Sequence, residues 1–85
     1  MSDNLNLFAA IREIKDGIEI EVPDFKFTQR GDCMTTAYAN TMVHLKALRA
    51  YYMEHDIPIK PIKVHEDCEK LLKGPKDFVT ILTVL

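Results

Sequence analysis

Three residues of this sequence have the types that nucleophilic chemistry needs: Cys33, within QRGDCMTTAYAN at 29–40, Gln29 four positions before it, and His65. A helix starting at Cys33 would set the thiol against unpaired backbone N–H groups and the positive end of the helix dipole, which favour the thiolate. A histidine could take the thiol proton, and a glutamine amide could donate to an oxyanion. His44 and His55 fall in the same predicted helix as Cys33, about 16 and 33 Å along its axis at 1.5 Å per residue, which leaves His65 as the base. One reading is therefore a minimal cysteine hydrolase with Cys33 as nucleophile, His65 as base and Gln29 at the oxyanion.

A glutamine shortly before a helix-starting cysteine resembles the arrangement in papain-like cysteine peptidases, and GDC at 31–33 distantly resembles the cysteine motif of ovarian-tumour-type deubiquitinases. The likeness spans a dozen residues. It implies a histidine presented from a later strand with a third polar residue, whereas His65 here opens a predicted short helix, and such enzymes are usually longer than 85 residues. A second ligand-type pattern is His65-x-x-Cys68, to which Cys33 would add a third group. Zinc normally takes four ligands, and the CxxC knuckle is absent, so no metal centre is expected. Arg30-Gly31-Asp32 reads as a turn and a helix cap. Gly17, Gly31 and Gly74 stand alone, so no phosphate-cradling loop exists and no cofactor is expected.

The elements that must position these residues belong to one domain, 1–85, with a modest core. At 47% hydrophobic and 28% charged residues, the chain reads as an ordinary globular protein. MSDNLNLFAA lacks the basic start and apolar stretch of a signal peptide, and no segment has the length of a membrane span, so a cytoplasmic location with free thiols at Cys33 and Cys68 is expected. The net charge of −2 suits neither a nucleic-acid binder nor a nucleic-acid mimic. Acids dominate residues 1–32, while Lys60, Lys63, Lys70, Lys73 and Lys76 follow later. Those lysines carry a further alternative, weak and salt-dependent nucleic-acid binding.

Leu7, Phe8, Ala10, Ile11 and Ile14 share one side of a helical wheel, which predicts an amphipathic helix over 4–15 closed by Gly17. IEIEV at 18–22 alternates as a half-buried strand, and after Pro23-Asp24 the alternation resumes at Phe25 and Phe27, as a hairpin, a wider loop or a bent strand. Asp32 is placed to cap a helix running from Cys33 to about His55. On that helix Met34, Tyr38, Thr41, Leu45, Leu48 and Tyr52 form a large-residue stripe, opposite the small apolar row Ala39, Val43, Ala47 and Ala50. IPIKPIKV at 57–64 reads as an edge strand or a polyproline-like connection, HEDCEKLLKG as a short third helix, and DFVTILTVL as a central strand.

These elements predict an α+β fold, a small and mainly antiparallel sheet of three to four strands with a long central helix, an N-terminal helix and a short third helix on one face. The function expected of it is binding rather than catalysis: a small protein-protein interaction module, an adaptor or an inhibitor of a larger target, of the compact kind that phages and mobile elements encode. The two-faced helix suggests a homodimer through Ala39, Val43, Ala47 and Ala50. The ridge of His44, Tyr51 and His55 is the candidate surface for a protein partner, since aromatic residues are favoured at interface hot spots.

Overall fold

The computed structural model describes residues 4–85. Its elements are β1 (Leu5–Ile14), β2 (Gly17–Val22), β3 (Phe27–Gly31), α1 (Met34–Glu54), α2 (His65–Glu69) and β4 (Phe78–Val84). The four strands form one antiparallel sheet in the order β3-β2-β1-β4. The fold is α+β as expected, with two helices in the described residues rather than three.

The predicted N-terminal helix is strand β1, and it lies inside the sheet. Leu7, Ala9 and Ile11 point to one face and join Ile20, Val22, Ala37, Leu45, Leu82 and Val84 in the core under α1. Phe8, Ala10 and Arg12 point to the other, where Phe8 meets the ring of His65 edge-on and Arg12 donates to the carbonyl of Leu71. A strand covered on both faces loses its polar alternation, and its apolar positions can then mimic a helical stripe. The two helices accordingly lie on opposite faces of the sheet, not on one. Strand β4, expected in the centre, is an edge strand, and β1 holds the central place with β2.

The connection at Pro23-Asp24 is a hairpin with a wide loop. Val22 pairs with Phe27, and the loop is closed by bonds from Phe25 N–H to the Val22 carbonyl and Lys26 N–H to the Pro23 carbonyl. Lys26 takes a positive φ of 55°, a conformation proline at Pro23 could not adopt. Strand β3 then runs on to Gly31, through residues that read as a turn. Gly17 opens β2 instead of closing a helix, and it is small for a reason of space: a Cβ there would lie 2.1 Å from the Gly31 carbonyl oxygen. Gly31 is equally confined, since a Cβ on it would meet Ala37 N at 2.3 Å. This contact lets the first turn of α1 rest directly on β3.

Because α1 settles at that height, its fully buried positions are Ala37, Thr41 and Leu45, with Leu48 and Tyr52 half-buried behind them. Met34 and Tyr38, expected in the same stripe, are exposed. Thr41 satisfies its hydroxyl by donating to the Ala37 carbonyl at 2.8 Å. The expected cap by Asp32 is absent: the N-cap residue is Cys33, with no side-chain cap bond. At 21 residues, or about 32 Å at 1.5 Å per residue, α1 nearly spans the longest dimension of 39 Å.

The second face is held by charge. Arg12 and Glu19, with side chains 7% and 9% exposed, are bonded from Nε and Nη2 of Arg12 to Oε1 of Glu19 at 3.0 and 2.6 Å. Nη1 of Arg12 reaches Glu21 at 2.7 Å, and Arg30 donates to the other oxygen of Glu19 at 2.7 Å. Asp24 accepts from the N–H groups of Ile62 and Lys63, which fastens the irregular 57–64 connection across the end of the sheet. That connection forms no strand.

Candidate interaction face

The exposed side of α1 and the outer edge of β3 form one continuous surface. The alternation of β3 turns Phe27, Gln29 and Gly31 toward α1 and Thr28 and Arg30 toward the ion-pair face. His44 lies on the ring of Phe27, with centroids 4.2 Å apart and planes 23° from parallel. Gln29 Nε2 stands 3.3 Å from His44 Nδ1, an amide donating to an imidazole nitrogen. One turn earlier, Asn40 Nδ2 donates to the Arg30 carbonyl at 2.9 Å. Together Gln29, Asn40, Val43, His44 and Ala47 line a shallow depression of about 400 Å³.

Val43 occupies this depression with 70% of its surface exposed. Ala39, Ala47 and Ala50 are exposed along the same row. The neighbouring row continues from Asn40 and His44 to Tyr51 and His55, whose rings lie 4.3 Å apart. Tyr51 also meets Tyr52, and Tyr52 in turn meets Phe25 edge-on at 5.7 Å. The small residues expected at a dimer interface and the ridge expected at a partner surface thus border one another. Lys46 and Glu54, both exposed on α1, border the strip, and Lys46 lines a depression together with Ala50. Asn40 went unread in the sequence because its role depends on the register of β3 against α1, which no local pattern reports.

The residues with catalytic types are not gathered. Cys33 is exposed at the start of α1, with its sulfur 3.5 Å from the Thr36 hydroxyl. That hydroxyl, then the nearby backbone N–H groups, draws the thiol below its ordinary pKa, although Asp32 opposes the shift. His65 lies across the sheet, against Phe8 and 3.1 Å from Glu69. Gly31 pairs with Ile18 and Ile18 with Glu13. Phe8 is therefore five residues along and two strands across from the end of β3, about 19 Å from strand geometry alone and on the opposite face. Gln29, the oxyanion candidate, is engaged with His44.

A larger depression of about 520 Å³ near Cys33 is lined by Ile14, Lys15, Asp16, Arg30, Gly31 and Asp32, with no histidine among them. Cys68 is the fully buried residue of α2, and desolvation raises its pKa, with Asp67, Asp24 and Glu21 adding to the effect. Among the described residues no group of three His, Cys, Asp or Glu side chains stands where it could hold a metal ion. Lys60 lies in the 57–64 connection, where it lines a depression with Phe25 and Tyr52, Lys63 follows in the same connection, and Lys70, Lys73 and Lys76 lie beyond α2. Among the described residues no helix is long and apolar enough to cross a membrane. No protein-family model, curated protein or solved structure matches this chain.

Proposed function

We propose that the chain is a small protein-binding module that adapts or blocks a larger protein, docking through the exposed strip of α1 and the edge of β3. The observation that carries this reading is Val43, an aliphatic side chain 70% exposed in a depression whose polar walls are already fixed. Gln29 and His44 hold one another, and His44 rests on Phe27, so little side-chain freedom is lost when a partner covers them. An apolar centre bordered by one cation, Lys46, and one anion, Glu54, suits a partner surface that is apolar at its middle and mixed in charge at its rim. Tyr51 and His55 extend the strip as an aromatic anchor.

The test is capture from host lysate on immobilised wild-type protein, Val43→Glu and Cys33→Ala, followed by titration with the purified captured protein. Wild type and Cys33→Ala should bind alike, while Val43→Glu should weaken binding at least tenfold. Equal binding by all three would refute the assignment of this face. A second reading, helix-on-helix pairing of two copies through Ala39, Val43, Ala47 and Ala50, is favoured by their common exposure and small size. It predicts that Val43→Glu converts a dimer to a monomer.

A further inference from the structure

We infer that β4 is a self-pairing edge, by which two copies of the chain join their sheets into one continuous sheet of eight strands. Most exposed edges are protected by a charge, a proline, a bulge or a covering element. Strand β4 has none of these along its length, and Arg49 donates a side-chain bond only to the backbone carbonyl of Val84, the last residue, at 2.8 Å. Its sequence FVTILTV contains no charged residue and no proline, and its register against β1 runs unbroken from Phe78 to Val84. Among the described residues no backbone group outside β1 bonds to it. Phe78 is 47% and Ile81 54% exposed, so the strand offers apolar side chains together with unpaired N–H and C=O groups. The other edge, β3, is five residues long, carries Arg30 and has the Arg30 carbonyl bonded to Asn40.

Symmetry and charge select the occupant. Two antiparallel copies of an edge strand are related by a two-fold axis normal to the sheet, which keeps each α1 on the same side. All seven residues pair only when the axis passes through the middle residue, Ile81. Ile81 then faces its own copy, Thr80 faces the other Leu82, Val79 faces Thr83 and Phe78 faces Val84. The two most exposed apolar residues, Phe78 and Ile81, are each covered by an apolar residue, while the half-buried Val79 faces Thr83, and no charge meets a like charge because the strand has none. Seven residues at about 3.4 Å span about 24 Å, and with about 10 Å of sheet thickness each edge covers about 240 Å², so the joined edges remove about 500 Å² in total. That is below the roughly 1,200 Å² of a standard interface, so the dimer should be weak and concentration-dependent, held mainly by its backbone bonds.

The inference is independent of the α1 strip, and mass measurements separate the two. Sedimentation velocity from low to high micromolar concentration should show wild type passing from monomer to dimer. Ile81→Lys, which sets like charges face to face, should remain monomeric with an unchanged circular dichroism spectrum, and Val43→Glu should dimerise as wild type does. In a Cys33→Ser background, Ile81→Cys should form an intermolecular disulfide under mild oxidation, since paired residues have Cα atoms about 4.5–5.5 Å apart. Thr80→Cys, offset by two residues from its copy, should not. A wild type monomeric throughout, a dimer dissolved by Val43→Glu but not by Ile81→Lys, or cross-linking at Thr80→Cys instead of Ile81→Cys would each overturn the inference.

Discussion

Replacing Arg12 by methionine should be among the most damaging single substitutions in this fold. The guanidinium makes two bonds to Oε1 of Glu19, one to Glu21 and one to the Leu71 carbonyl, and both Arg12 and Glu19 are nearly excluded from water. Arg12→Met keeps most of the volume but leaves Glu19 buried with only the exposed Arg30 as a partner. Breaking a buried pair from one side costs about 3–5 kcal/mol, because the remaining charge loses its compensation. Glu21, at 27% exposure, can recover part of its own loss from solvent, so the lower half of that range is expected. For a domain of this size the melting temperature should fall by more than about 12 °C.

Urea unfolding of wild type, Arg12→Met, Glu19→Leu and the double variant supplies the assay. The double variant should recover to within about 1 kcal/mol of wild type, since an apolar pair of similar volume replaces the ions. A loss under about 1 kcal/mol in Arg12→Met would refute the reasoning, for that is the range of a solvated surface pair. The pH dependence supplies a second check. Bonds from Arg12 chiefly, then from Arg30, hold the Glu19 carboxyl below the usual range, against the opposing effect of burial. A carboxylate with a lowered folded pKa contributes stability above its unfolded pKa of about 4.3 and loses it as pH falls through the folded value. Wild type should therefore lose stability below about pH 4 more steeply than the double variant.

Ellman's reagent should label Cys33 rapidly at neutral pH and Cys68 only on unfolding, and Thr36→Val should slow the fast phase; two fast thiols, or none, would contradict the burial of one and exposure of the other. Asp77 accepts N–H bonds from Glu13, Lys73 and Gly74, which lower its pKa, so Asp77→Ala should reduce the melting temperature near neutral pH and speed amide exchange at Lys73 and Gly74, with the difference from wild type shrinking in acid. Gly31→Ala should cost about 1–3 kcal/mol by pushing α1 off β3, whereas Gly74→Ala, where a Cβ would find nothing closer than 3.8 Å, should be tolerated in the same denaturation assay.

The elements readable from sequence were those whose local pattern agrees with their burial. Strand β2 alternates because Ile20 and Val22 enter the core while Glu19 and Glu21 meet Arg12 on the other face. Helix α1 is free of proline and glycine, and its observed bounds differ from the expected ones by a residue at each end. Strand β1 was unreadable for the opposite reason: α1 covers one face and the α2 segment the other, so its spacing reports no solvent side. Arg12 was the available clue, a charge in an apolar run with acids on the strand opposite. The order of β1 and β4 was equally hidden, since two apolar faces fit a central strand and a bare edge alike.

The candidate surface was legible as rows on a helix but not as a place. Spacing along α1 separates Ala39, Val43, Ala47 and Ala50 from the residues beneath, yet it cannot tell which row the sheet will cover. Gly31 decides that. Without a side chain it admits Ala37 to van der Waals range of β3, which brings Thr41 and Leu45 into the core and turns Val43 outward. The same contact brings His44 onto Phe27 and Gln29, joining the helix row to the strand edge. A shift of α1 by two positions would put Ala39, Val43 and Ala47 where Ala37, Thr41 and Leu45 lie and remove the strip. The exposure of Val43 thus follows from a glycine twelve residues earlier, and Gly31→Ala should disturb partner binding as well as stability while Cys33→Ala disturbs neither.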